Sequence, residues 1–138
     1  MRIASGAHQH SKVAWPRFPS EGHGAYRVRY SALDVCRKEA FEQVRDRIAT
    51  AWGSTDIVVN NAGYAKRTPV DEISVEEFDD IVAINMRSVF LSCQVFSRHM
   101  RANGYGRIVN VTSLAGQNGG TVASAHYAAA KAGAIMLS

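Results

Sequence analysis

The chain predicts an α/β fold, part of a doubly wound parallel sheet. Two observations carry this expectation. The runs Asp56-Ile57-Val58-Val59 and Arg107-Ile108-Val109-Asn110-Val111 are apolar at consecutive rather than alternate positions. That is how strands buried on both faces read, and burial on both faces belongs to parallel sheets. Amphipathic helical patterns lie between and around these runs. Strand and helix thus alternate in units of roughly 30 residues, the arrangement of right-handed βαβ crossovers.

Taken in order, residues 1–26 show neither helical nor strand period. They mix Gly, His, Ser, Pro and Arg and are expected to be an irregular leader, disordered or non-native. Residues 27–138 are expected to form the domain. Val28 to Leu33 alternates and predicts a strand. Cys36 to Trp52 predicts a helix with Phe41, Val44, Ile48 and Trp52 on one stripe, ended by Gly53. The Asp56–Val59 strand follows, then a loop from Ala62 to Val70. Ser74-Val75-Glu76-Glu77 is a capping box and starts a helix. Its apolar period runs through Phe78, Ile81, Val89, Val95 and Met100 to Gly104, long enough to predict a break or kink near Asn85. The Arg107–Val111 strand leads into a Gly-rich loop, Gly116 to Gly120. A last helix is expected to begin near Ser124 and to continue to the end of the chain.

At 138 residues the chain is long enough for one domain with a core, and 46% of it is apolar. No apolar run approaches the ~20 residues of a membrane span, and the start lacks a secretion signal. Residues 1–30 hold Arg2, Lys12, Arg17, Arg27 and Arg29 against Glu21 alone, which accounts for the whole net charge of +4. The basic charge belongs to the leader and not to a face of the fold, so a nucleic-acid partner is not expected. Cys36 and Cys93 have no metal-ligand or redox spacing. Free thiols in a reducing cytosol are the simplest account.

The chemistry concentrates at Tyr127-Ala-Ala-Ala-Lys131. Residues four apart share one helix face, one turn apart. A free phenol has a pKa near ~10. Moving it to neutrality takes roughly 4 kcal/mol. One ammonium at ~4 Å, in an effective dielectric of ~20, supplies about that much. The pair can therefore act as a general acid/base, although by itself the spacing is also that of any surface Tyr and Lys. In a doubly wound sheet, ligands bind at the carboxyl ends of strands. Asp34, Asn61 and Ser113 all stand at or just past such ends. His126, beside the tyrosine, points ~100° away from it around the helix. It is expected to be a loop-packing or exposed histidine.

With Asn60-Asn61-Ala62-Gly63, Asn85 and Asn110-Val111-Thr112-Ser113 upstream of Tyr127 and Lys131, the chain from Arg27 to Ser138 resembles the short-chain dehydrogenase/reductase family. The likeness is to its classical branch and, over Ser113 to Gly133, to the 3-oxoacyl-(acyl-carrier-protein) reductase group. The resemblance implies a partial Rossmann-type fold and an NAD- or NADP-dependent oxidoreductase that reduces a carbonyl or oxidises a secondary alcohol. It implies a catalytic set of Asn85, Ser113, Tyr127 and Lys131. Ser113 would polarise the carbonyl, and Tyr127 would give or take the proton. Lys131 would also bond the nicotinamide ribose, and Asn85 would hold a water that relays protons to the lysine. Asn61, Ala62 and Gly63 would line the adenosine side, and Asp34 with Val35 would meet the adenine. The implied partners are a small carbonyl or alcohol substrate, carrier-linked acyl groups among the candidates, and further copies of the full-length chain in a cytoplasmic homo-oligomer.

The serious departure of the sequence from that family is a missing glycine loop, and the family's C-terminal part is also expected to be lacking. No Gly-x-x-x-Gly-x-Gly follows a strand, and Gly22-His23-Gly24 precedes one instead. A dinucleotide fold needs such a loop so that backbone can approach the pyrophosphate at a helix N-terminus. The chain is therefore expected to be the middle of an enzyme. A non-catalytic fragment that associates with other subunits through its helices is the alternative. An extended-family epimerase or dehydratase also uses a Tyr-x-x-x-Lys pair, but the Asn-Asn-Ala-Gly turn favours the dehydrogenase branch. The choice between NAD and NADP is not readable, because the residue that reads the ribose 2′ position belongs after a second strand.

Overall fold

The structure is a computed structural model and describes residues 4–5, 29–119 and 124–138. Its strands are short and parallel. β1 (Ala4–Ser5) pairs with β2 (Ala32–Leu33), and β3 (Ile57–Asn60) pairs with β4 (Arg107–Asn110) in register from Ile57↔Arg107 to Asn60↔Asn110. β1 falls within the segment where no strand period is legible. The rest of the expected leader, and Val28 of the expected first strand, lie outside the described residues. Among the described residues of that strand, Ala32–Leu33 alone are paired in a sheet.

The turn after β2 explains why the first helix starts late. Asp34 accepts from the Cys36 N–H through Oδ1 at 2.9 Å, and its carbonyl accepts from the Arg37 N–H at 3.2 Å. This Asx turn delays α1 to Lys38–Trp52. Phe41, Val44 and Ile48 are buried as the stripe predicts, while Trp52 is exposed and carries the Arg29 guanidinium 5.6 Å from its ring centroid. Gly53 closes the helix at φ 82°, its N–H bonded to the Ala49 carbonyl at 2.9 Å.

The long helical run divides near Asn85, as its length predicts. α2 (Val75–Val82) passes through a π-turn at Ala83–Arg87 into α3 (Ser88–Ala102). The cause is visible at Asn85, whose Nδ2 donates to the Ile81 carbonyl at 3.0 Å and competes with the backbone ladder there. Within the expected Gly-rich loop, a single helical turn forms instead, α4 (Ala115–Asn118), closed by Gly119 at φ 79°. α5 (Ala125–Met136) is the last element.

The core lies between α1, α3 and one face of the β3–β4 pair. Leu33, Val35, Phe41, Val44, Ile48, Val58, Val95, Phe96 and Met100 form one cluster, with Ala62, Leu91 and Ile108 against it. The expectation of strands covered on both faces is corrected here. Ile57 and Val59 are 62% and 59% exposed, and Val109 and Val111 beside them are exposed too. Among the described residues, α1 and α3 cover one face and no helix covers the other.

Candidate active site

The site is built where β3 and β4 end. The two strands finish together, tied by Asn60 Nδ2 donating to Asn110 Oδ1 at 2.8 Å and by the Val111 N–H donating to the Asn60 carbonyl at 2.9 Å. Two loops therefore leave side by side, one carrying Asn61-Ala62-Gly63 and the other Thr112-Ser113.

Lys131 enters between them from α5. Its side chain is 5% exposed, and Nζ donates to the Val111 carbonyl at 3.0 Å. Burial pushes its ammonium below the usual lysine range. Tyr127 is half-buried one turn earlier, and Lys131 Nζ lies 5.9 Å from its ring centroid. The stacked pair that the spacing predicts is therefore present.

Asn85 is fully buried in the π-turn and grips the first loop. Its Nδ2 donates to the Tyr64 carbonyl at 2.8 Å, and its Oδ1 accepts from the Tyr64 N–H at 3.3 Å. Both amide protons are thus used by protein groups, while Oδ1 keeps a second lone pair. A Cβ placed on Gly63 would stand 3.1 Å from Asn85 Oδ1 and 3.4 Å from Lys131 Nζ. The small residue keeps open the space where those two polar ends meet.

Ser113 leads into α4, and its Oγ accepts from the Ala115 N–H at 3.2 Å. This bond is the turn role that any serine after a strand can play. What fixes its loop against the Tyr127 helix is Gly116. A Cβ there would lie 2.7 Å from the Ala132 nitrogen and from the Lys131 carbonyl carbon, so α4 meets the α5 backbone directly. Gly133 similarly admits the Met86 side chain of the π-turn. Three sequence-predicted residues, Asn85, Gly63 and Lys131, thus meet at one point, with Tyr127 above Lys131 and the Ser113 loop docked alongside.

The adenine-side candidates are placed differently. Asn61 is exposed at the strand end, and Ala62 rests on the core cluster. Asp34 is engaged in its Asx turn, and the Val35 side chain is buried in the core. His126, expected as a loop-packing or exposed residue, is 1% exposed and contacts Glu77. Glu77, His126 and Gly116 were missed as site-shaping residues. The capping box did single out Glu77, but for a bond within its own helix.

Comparison with known proteins shows the family of the chain. A family model described as short chain dehydrogenase matches residues 17–138. An uncharacterised short-chain type dehydrogenase/reductase of Sinorhizobium fredii is 35% identical over 92% of this chain and 50% of its own length. A 3-oxoacyl-[acyl-carrier-protein] reductase of Vibrio cholerae is 39% identical over 75% of this chain and 42% of its own. A 2-dehydro-3-deoxy-L-rhamnonate dehydrogenase (NAD(+)) of a Sphingomonas species is 41% identical over the same two shares. The chain spans half or less of the length of these relatives. With a parallel α/β fold, a Tyr-Lys pair over the strand ends and a family match across most of its residues, the chain belongs to the short-chain dehydrogenase/reductase family of oxidoreductases.

Proposed function

We propose that this chain carries the acid/base part of an NAD- or NADP-dependent oxidoreductase that reduces a small carbonyl or oxidises a secondary alcohol. The observation that supports it best is the buried Lys131 one turn from Tyr127, with Gly63 and Asn85 at its head. In this reading Tyr127 donates a proton to the carbonyl oxygen in reduction and takes it back in oxidation. The Lys131 ammonium, withdrawn from bulk water, stabilises the phenolate left behind. Ser113 donates to the oxygen as charge develops on it. Asn85 holds the Tyr64 backbone and offers its free Oδ1 lone pair to a water shared with Lys131.

The open space at Gly63 fits a flat ring or ribose pressed against backbone. Asn61, Ala62 and Gly63 would line the adenosine side, the Asp34–Val35 backbone would meet the adenine, and Lys131 with Tyr127 would hold the nicotinamide ribose. The nicotinamide, when bound, supplies or accepts the hydride. The substrate class extends to carrier-linked acyl groups, as the name of one relative suggests. A cytoplasmic homo-oligomer of the full-length protein completes the reading.

A second reading rests on the sequence, which holds no Gly-x-x-x-Gly-x-Gly after a strand. On that reading the 138-residue chain alone binds dinucleotide weakly or not at all and acts through association with other subunits. Titrating the chain with NADH and NADPH by fluorescence separates the two. Absence of binding favours the second. Micromolar binding favours the first, and Tyr127→Phe should then abolish ketone reduction while only weakening that binding, because the other cofactor contacts stay. Undiminished turnover by Tyr127→Phe would sink the acid/base assignment.

A further inference from the structure

The helix that carries Tyr127 and Lys131 begins at a polar knot that the acid/base chemistry leaves unused. Glu77, in the first turn of α2, is its centre. Its Oε1 accepts from Thr68 Oγ1 at 2.5 Å and lies 3.1 Å from His126 Nε2, and its Oε2 pairs with the Lys66 ammonium. The bonds from Lys66 and Thr68 push the Glu77 carboxyl down to about 2. An ionised carboxylate only accepts, so the proton of the shared bond sits on His126 Nε2. The other ring nitrogen, Nδ1, is buried and has no partner among the described residues. Ser124 adds a second tie, accepting from the Thr68 N–H at 2.6 Å and donating to the Lys66 carbonyl at 2.8 Å.

Burying an imidazole with one nitrogen unpartnered weakens a fold relative to an apolar side chain of similar size. What the histidine contributes is direction. His126 lies ~100° around the helix from Tyr127 and does not share its face. A single directed bond from it to an ionised carboxylate fixes the rotation of the first turn of α5. That rotation decides where the next residue points.

We propose that Glu77 and His126 are positioning residues, and that the bond from His126 Nε2 to the Glu77 carboxylate sets the rotation of α5 that brings Lys131, and Tyr127 one turn before it, to the strand ends beside Gly63. The significance of that placement rests on the acid/base reading of Tyr127, but the placement itself is measurable without turnover.

The test is a nuclear Overhauser cross-peak between the Lys131 ε-methylene and the Gly63 α-protons, which meet across two elements, in the 138-residue chain. Methyl signals of Val44 and Ile48 report that the core is folded. His126→Leu keeps the packing and removes the bond, and loss of the cross-peak is expected. His126→Gln retains an N–H donor and should restore it. Glu77→Ala should behave as His126→Leu does. Should Glu77→Ala fail to fold, the two His126 variants decide between them. A full cross-peak in folded His126→Leu, or its loss in folded His126→Gln, would overturn the proposal. Neither result depends on whether Tyr127→Phe loses activity, so failure here and failure of the catalytic reading are separable.

Discussion

Among the described residues, α2 and α5 are each preceded by a serine at the N-cap position, and the two serines act differently. Ser74 precedes α2, and its Oγ accepts from the Glu77 N–H at 3.1 Å, a local cap inside one turn. Ser124 stands at the same place before α5, with similar extended backbone, yet makes no cap bond. Its hydroxyl goes to Thr68 and Lys66 instead. Glu77 follows the same division. Its N–H completes half of the capping box, while its carboxylate leaves for Lys66, Thr68 and His126. α2 is thus begun by its own sequence, whereas the first turn of α5 is held by another part of the chain. The helix that carries the proposed acid/base pair is the one whose start is set at long range.

Three measurements would sharpen or break that contrast. The largest effect is expected at Gly116, where a side chain meets α5 backbone that cannot yield. Gly116→Val should cost about 3 kcal/mol in chemical denaturation, as overpacking against rigid structure does. A near-neutral result would mean that α5 is not seated against α4. The two serines come next. Ser124→Ala should cost about 2 kcal/mol, because it leaves the Thr68 N–H without its acceptor. Ser74→Ala should cost only about 1 kcal/mol, as removal of a local cap does. Equal losses would erase the distinction between the two starts.

The gentlest test follows one substitution across pH. Glu77 has its carboxyl pulled down from 4.5 to about 2. A depressed acid stabilises the fold above its unfolded pKa and loses that contribution as pH falls through the folded one. The stability difference between the native chain and Glu77→Gln should therefore be full at neutral pH. It should shrink as pH drops from 4.5 toward about 2. A difference that is unchanged by acid would show that the charge of Glu77 is not what holds the knot.

Much of the architecture was legible. Phe41, Val44 and Ile48 declared their helix face by spacing alone, and the β3 and β4 runs declared strands. The length of the apolar period predicted a break near Asn85, and the π-turn lies there. The strands were nevertheless expected to be covered on both sides, and Ile57 and Val59 are exposed. Strand periodicity reports which residues could be buried, and it cannot say which neighbours are there to bury them. Asp34, expected at a ligand, also closes an Asx turn. The sequence placed a polar residue at the strand end and did not show the local bond that it makes there.

The sequence by itself determined the helices α1 to α3 and α5 and the strands β3 and β4, the stacking of Tyr127 on Lys131 and the clustering of small and polar residues past the strand ends. Each follows from neighbours within a few residues, where backbone geometry converts spacing directly into position. Only the tertiary structure decided that Glu77 serves α5 rather than α2, that His126 is buried, and that Gly116 must lack a side chain. Those outcomes depend on contacts 49 to 58 residues apart in the case of the knot. A donor or acceptor with several partners in reach takes the one that packing brings to it.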